Sequence, residues 1–383
     1  MTGPLAGLRV LEMAGLGPAP FAGMVLADMG AEVLRVDKPA GAYRLFDPTK
    51  DALGRGRRSV AVDLKHADGT EVVLRLVGHA DVLLDPYRPG VMERLGLGPE
   101  PCRGRNPALV YGRMTGFGQP GNGDRPHSPL VDAPGHDINY IAIGGALGAI
   151  GRAGQPPTPP LNLIGDFGGG GMLLVVGVLA ALLHARATGE GQVVDAAMVD
   201  GTAMLMTPFF GGRDTWAGRG TNVLDTGAPF YDVYETADGR YVAVGAMEAQ
   251  FFAALVDGLG LDPSMAAQQW DHDAWPEHRR QIAAAFLSRT RAEWCARLEG
   301  TDACVSPVLD PPEVPGHPHH RARGTYVDAG GVLQPAPAPR FSRTPSQAGG
   351  PPPAPGQHTA DALADWGFAG DEIAALQASG AVC

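Results

Sequence analysis

The chemistry in this chain gathers in two short stretches: Gly135-His136-Asp137-Ile138-Asn139-Tyr140, and Asn162-Leu163-Ile164-Gly165-Asp166-Phe167 with the glycine run Gly168 to Gly171 behind it. They set one imidazole and one carboxylate beside glycine-rich turns. Moving a proton on and off carbon takes two such groups, each with a pKa brought near working pH. Each residue also has a plainer reading. His136 fits a structural histidine in a glycine-flanked turn, and Asp166 fits the N-cap of the apolar run that begins near Met172. Capping and proton transfer are compatible, because a helix start tunes the carboxylate and would favour its ionised form.

The elements that must hold these groups are legible on either side. Residues 8–13 give a strand signal, Pro18-Ala19-Pro20 opens a helical pattern through Met24, Leu26 and Met29 that ends at Gly30, and 31–36 supply a second strand ending at Asp37. The pattern recurs with a strand at 59–63, a helix at 69–77 and a strand at 81–85. A further strand at 108–114 runs into Thr115-Gly116-Phe117-Gly118. Strand, helix and strand in this order predict right-handed crossovers and a mostly parallel sheet. The apolar run 172–183, interrupted by Gly177 and closed by His184 and Arg186, falls short of the roughly 20 residues a bilayer span needs and reads as a buried core helix. Residues 192–198 read as a buried strand with a helix at 199–210 beneath it.

After a polar linker at 216–226 the character changes. Two alternating runs flank Ala237-Asp238-Gly239, a hairpin signal, and helical stretches follow at 248–259, 278–287 and 292–298. Residues 334–356 are rich in Pro, Gly and Ser, carry little core of their own and are expected to wrap over other parts of the fold. Short helices are expected at 361–367 and 370–376. The predicted fold class is α/β: a large doubly wound, mostly parallel-sheet domain over 1–215, a smaller α+β domain over 216–325, and a C-terminal segment, 326–383, returning to the large domain.

With 383 residues, 44% of them hydrophobic, the chain can bury a large core. Its formal charge of -11 argues against a nucleic-acid partner, since phosphate neutralisation needs a basic surface. A polyanionic ligand would need a local basic patch. Arg55, Arg57, Arg58 and Lys65, with Lys38, Arg88 and Arg94, supply one, although such a cluster equally fits a solvated face. Cys102, Cys295, Cys304 and Cys383 lack CxxC spacing, so neither a structural zinc nor a disulfide framework is expected. No motif for a metal, flavin, pyridoxal or nucleotide is visible, and no cofactor is expected. The N-terminus lacks the basic-then-apolar pattern of an export signal, which predicts a cytoplasmic protein with no membrane partner.

Several ordered stretches now converge. Leu5-Ala6-Gly7-Leu8-Arg9-Val10-Leu11-Glu12, Leu26-Ala27-Asp28-Met29-Gly30-Ala31-Glu32-Val33, Tyr87-Arg88-Pro89-Gly90, the Gly135 to Tyr140 block, Gly165-Asp166-Phe167, Gly189-Glu190-Gly191-Gln192-Val193-Val194-Asp195 and Ala237-Asp238-Gly239-Arg240-Tyr241 resemble the family III CoA-transferase superfamily, and within it the 2-methylacyl-CoA racemase branch, over nearly the full length. The resemblance implies an interlocked homodimer with the site between the large domain of one subunit and the small domain of the other. It maps the catalytic pair onto His136 and Asp166, with Glu248 supporting the histidine. It sets the CoA against Leu16, Lys38, Val62, Asp63, Lys65, Arg94 and Tyr140, and Arg58 and Arg88 of the basic cluster, with Asp137 and Asn162, are further candidate substrate contacts. The transferases of the superfamily use an aspartate at the position of Asp166 as a nucleophile, so that residue alone fits either branch; Gly135-His136-Asp137 favours the racemase. The loop from Pro120 to Pro134 is longer than the racemase branch leads one to expect.

The chemistry implied is a 1,1-proton transfer. A thioester acidifies its neighbouring C–H because an enolate spreads charge onto the carbonyl oxygen, and that oxygen needs donors. The amides of Gly168 to Gly171, read as opening the apolar helix, would supply them. His136 and Asp166 would face opposite sides of the planar enolate, one removing a proton and the other returning one.

Overall fold

The computed structural model of the chain describes residues 2–39, 50–121, 128–212 and 215–383. Residues 122–127 of the long loop from Pro120 to Pro134 lie outside the described residues. The chain gathers into two compact units, Met1–Gly144 with Leu161–Leu205 and His320–Cys383, and Gly145–Pro160 with Met206–His319. It passes between them at 144/145, 160/161, 205/206 and 319/320, rather than at the expected 215/216 and 325/326. Residues 145–160, read from the sequence as part of the large domain, satisfy their polar groups in the second unit. Arg152 pairs there with buried Asp232 at 2.9 Å, and Arg219 donates to the carbonyls of Gly148 and Gln155.

In the first unit β1 (Arg9–Met13), β2 (Glu32–Asp37), β3 (Arg57–Ala61), β4 (Val82–Asp85), β5 (Val110–Thr115) and β6 (Val193–Ala197) form one parallel sheet in the order β3-β2-β1-β4-β5-β6. The helices of this unit up to residue 205 are α1 (Pro18–Asp28), α2 (Gly69–Val77), α3 (Val91–Arg94), α4 (Pro99–Arg105), α5 (Asp137–Ile143), a π-helix over Leu163–Met172, α6 (Leu173–Thr188) and α7 (Met198–Leu205). One face of the sheet packs Leu11, Leu34, Leu83 and Tyr111 on α2 and on Trp366 near the C-terminus; the other packs Val10, Val33 and Val110 on α1 and α6. Covered on both faces, β1, β2 and β4 read as near-continuous apolar runs. In open sheets of this strand order, ligands sit outside the carboxyl ends of the strands, at the switch point between β1 and β4.

Two sequence expectations change here. Strand β6 is an edge strand rather than a buried one, with Val193 exposed and only Ala196 and Ala197 buried, because no described strand pairs beyond it in the sheet order. The apolar helix is also longer than the 172–183 run suggests. The π-helix continues into α6, so Leu163–Thr188 spans 26 residues, long and apolar enough by composition to cross a membrane. Leu174, Val175, Val178, Ala181 and Leu182 lie buried in the core against the sheet, which is the work of a core helix.

The polar exceptions within the sheet are informative. Glu12 on β1, Arg35 and Asp37 on β2 and Arg57 on β3 are all buried, and buried charges persist only when paired. Arg57 Nε donates to Glu12 Oε2 at 2.9 Å, and Arg35 Nε to Asp37 Oδ2 at 2.7 Å.

At the end of β4, Asp85 accepts the Tyr87 N–H at 2.9 Å and so folds the following turn. Burial pushes the Asp85 carboxyl up to about 6, opposed by the Tyr87 N–H and by Arg113. A carboxyl whose folded pKa lies above its unfolded one stabilises the fold fully below the unfolded value, and that contribution is lost as pH rises through about 6. Wild-type stability relative to D85N, measured by urea unfolding, should therefore fall between pH 4 and pH 7 by on the order of 3 kcal/mol at the limit. A pH-independent difference would refute the assignment.

The second unit is built on β7 (Tyr231–Glu235), β8 (Tyr241–Gly245) and β9 (Val305–Pro307), an antiparallel sheet in that order. The β7–β8 pair is the predicted hairpin, turning where Gly239 takes a positive φ of 69°. Helices Ala249–Leu259, Trp275–Phe286 and Arg291–Leu298 close a core of Phe230, Phe252, Phe286 and Trp294.

Candidate active site

At the carboxyl ends of β1, β4 and β5 the first unit opens a cavity of about 710 Å³. The loop after β1 (Ala14 to Gly17), the turn after β4 (Pro86 to Pro89) and the segment after β5 (Thr115 to Phe117) line it, together with Gly135, His136, Tyr140, Asn162, Asp166 and Phe167. His136 and Asp166 therefore share one cavity.

His136 is the N-cap of α5, and its N–H donates to Asn139 Oδ1 at 3.1 Å. Its imidazole is exposed. Asp166 does not precede a helix at Met172, as its sequence context suggests; it stands in the first turn of the π-helix. Leu161, at a positive φ of 58°, turns the chain so that Asn162 becomes the N-cap, and Asn162 Nδ2 donates to Asp166 Oδ2 at 2.9 Å. Wide π turns recur at functional sites. The Asp166 N–H donates to Asp137 Oδ2 at 2.8 Å.

Burial pushes the Asp166 carboxyl above the ordinary aspartate range. The Asn162 amide opposes that rise, the Asp137 carboxylate adds to it, and His136 opposes it. The expected bias of a helix start toward ionised Asp166 is thus outweighed, and the carboxyl gains the proton affinity an acid/base partner needs. Tyr140 is pushed up as well, by burial and by Asp166, with Arg88 opposing. Its ring lies where Gly116 and Gly135 carry no side chain: a Cβ at Gly116 would overlap it, and one at Gly135 would stand 2.8 Å away. Phe117 meets it edge-on at 5.0 Å.

The glycine run has a different task from the one expected of it. Gly168 to Gly171 lie inside the π-helix, where their amides belong to the internal ladder, so they do not open a helix toward a substrate oxygen. They let neighbouring elements approach the helix backbone. A Cβ at Gly169 would stand 2.8 Å from the Thr202 nitrogen on α7, and one at Gly171 2.7 Å from the Pro18 carbonyl oxygen on α1.

Of the other residues the sequence proposed, Leu16, Arg88, Tyr140 and Asn162 line the cavity, while Lys38, Arg58, Val62, Asp63, Lys65, Arg94 and Asp137 are not among its described lining residues. Val62 is 1% exposed and packs in the core, so its side chain is closed to a ligand. Asp63 Oδ1 accepts the Lys65 N–H at 2.9 Å. The Asp137 side chain is buried, and its Oδ2 accepts the Asp166 N–H rather than facing the cavity. The basic cluster is largely engaged by internal carboxylates: Arg55 by Asp28 at 3.0 Å, Arg57 by Glu12, and Arg58 by Asp365 at 2.7 Å. Glu248 lies in the second unit, exposed, as N-cap of helix Ala249–Leu259.

Sequence reasoning missed the buried Glu12 and Arg57 pair on the cavity wall, 0% and 5% exposed. Their partnership depends on strand order rather than spacing. The Asn162 contact with Asp166 was in principle readable as an i,i+4 pair, once a helix starting at Leu163 is recognised.

The model of the CoA-transferase family III matches residues 5–359. The chain is 47% identical to the alpha-methylacyl-CoA racemase of Mus musculus over 377 residues, covering 97% of this chain and 96% of the relative. It is 46% identical to that of Homo sapiens over 374 residues, covering 96% and 95%. Among solved structures, the orthorhombic form of Rv3272 from M. tuberculosis superposes with a TM-score of 0.78 at 29% identity, covering 94% of this chain and 98% of that one.

Proposed function

Since the chain belongs to CoA-transferase family III, we propose that it is a racemase of 2-methyl-branched acyl-CoA thioesters, working by 1,1-proton transfer through an enolate with His136 and Asp166 as the acid/base pair. The observation that carries this reading is an exposed imidazole and a carboxyl of raised proton affinity lining one cavity. The racemases to which the chain is 46% and 47% identical support it.

In one direction neutral His136 takes the α-proton, the C–H electron pair passes into the enolate, and protonated Asp166 delivers its proton to the opposite face. In the other direction Asp166 is the base and the His136 imidazolium the acid. Exchange with solvent resets the pair. The amides best placed to hold the enolate oxygen are those opening α5 beside His136, since first-turn N–H groups have no acceptor within their helix. This replaces the Gly168 to Gly171 amides in that role. Exposed Lys38, Lys65, Arg88 and Arg94 are the cations proposed to meet the CoA phosphates. The chemistry calls for no metal or organic cofactor, the CoA being part of the substrate.

A homodimer is part of the proposal, with Glu248 of a second copy supporting His136. Its support is the apolar surface of the first unit: Ile138 and Ile143 on α5, Leu163 and Met172 on the π-helix, and Val176 and Leu183 on α6 all stand exposed, as expected of a face meant to be covered. A transferase using Asp166 as nucleophile is the second reading, and the histidine beside it on the cavity favours the racemase.

Incubating each enantiomer of a 2-methylacyl-CoA in deuterated water should give label at the α-carbon together with loss of configuration, from either starting hand. Retention of configuration with no label, alongside a hydroxylamine-trapped enzyme acyl species, would turn the assignment to the transferase.

A further inference from the structure

Asp137 was read from the sequence as a ligand contact, yet it is 6% exposed and does not line the cavity. Its backbone follows His136 directly at the opening of α5. Its carboxylate reaches the neighbouring π-helix, where Oδ2 accepts the Asp166 N–H at 2.8 Å. That amide belongs to the first turn, whose N–H groups have no intrahelical acceptor. Gly165 makes the approach possible, because a Cβ there would stand 2.6 Å from Asp137 Oδ2. The second oxygen, Oδ1, is buried with no hydrogen-bond partner among the described residues.

We propose that Asp137 is a positioning residue that couples the two proton-transfer groups: its backbone fixes His136 at the start of α5, and its carboxylate fixes Asp166 through the Asp166 amide. This deepens the racemase reading and rests on it for its kinetic consequences. A hydrogen bond to one amide needs only one neutral acceptor. A carboxylate with an unpartnered second oxygen also brings a charge, and that charge stands beside Asp166, whose proton affinity it helps to raise after burial has done the larger part. The other groups facing Asp166 are Asn162 from its own helix start and His136 and Tyr140 from α5, with Arg88 from the turn after β4 acting on Tyr140. None of these combines a backbone link to His136 with a side-chain hydrogen bond to Asp166.

Asp137→Asn keeps the acceptor and removes the charge. In full-length protein carrying 13C-carboxyl aspartate, with D166N identifying the signal, the Asp166 titration midpoint should move to lower pH in D137N; an unmoved midpoint overturns the proposal. This measurement needs no substrate, so it remains decisive even if the wild type proves not to racemise. With a 2-methylacyl-CoA, turnover in the direction that uses Asp166 as the acid should fall by up to about 100-fold while KM moves less. Racemisation by the wild type together with unchanged D137N turnover and pH profile would sink the proposal while sparing the reading beneath it. Should D137N not fold, Gly165→Ala carries the same test, because the added Cβ displaces the carboxylate from the amide. The midpoint must again fall, and a midpoint that stays put overturns the coupling.

Discussion

Replacing His136 by alanine should abolish racemisation of both enantiomers, a loss on the order of 10²- to 10⁴-fold for removal of a positioned acid/base group. It should also leave a diagnostic residue of activity. If His136 and Asp166 attend opposite faces of the enolate, Asp166 in H136A can still lift the α-proton from the one enantiomer that presents it and return a solvent deuteron to the same face. Exchange without inversion is then confined to that hand. D166N should do the reverse, restricting exchange to the other hand through His136. The experiment is α-proton exchange in deuterated water with each enantiomer, read by NMR for label and by chiral separation for configuration. Exchange from both hands in either variant would mean that the two groups do not divide the faces, and the two-base mechanism would fall. The prediction draws on two observations: both residues line one cavity, and burial raises the proton affinity of Asp166 above that of an ordinary aspartate.

His136 and Asp166 stood out in the sequence because both sit in short glycine-flanked stretches, the resemblance suggested their roles, and the structure brings both to one cavity. The crossover pattern was legible for the same reason as in most α/β chains: β1, β2 and β4 are buried on both faces and are mostly apolar, with a few paired charges among them. What the sequence hid was the use of charge. Arg55 and Arg57 look like an exposed basic run, but each meets a carboxylate far away along the chain, Asp28 and Glu12, brought beside it by strand order and by α1. A local cluster count cannot tell a paired arginine from a free one. The glycines hid their purpose in a similar way. A run of four before an apolar segment resembles a helix start, and only the packing of α1 and α7 shows that the missing side chains serve close backbone approach inside a helix already under way. Asp137 was read as a ligand contact, but its carboxylate points to the adjoining helix, so a contact through that side chain is replaced by a hydrogen bond to the Asp166 amide.

Close approach of this kind makes Gly201 the residue whose loss should most damage the framework of the site. It lies on α7 opposite Gly169 of the π-helix, and a Cβ on Gly201 would overlap the Gly169 carbonyl, backbone on backbone, with no flexible side chain to yield. In Gly201→Ala the two helices must separate, and the π-helix carries Asp166. Overpacking of this sort costs about 1 to 3 kcal/mol, with the upper end expected where the obstacle is backbone. A shift of the Asp166 helix by as little as about 1 Å could lower turnover by a further 100-fold. Gly104 on α4 provides the control, because no described residue stands within 4 Å of its would-be Cβ, and Gly104→Ala in a helix should stabilise by about 0.5 to 1 kcal/mol. Urea unfolding of the two variants should therefore move in opposite directions, and only Gly201→Ala should lose turnover. Equal stability of the two, or full activity in Gly201→Ala, would show that the helix pair can relax without disturbing Asp166, and the glycine run would then need another explanation.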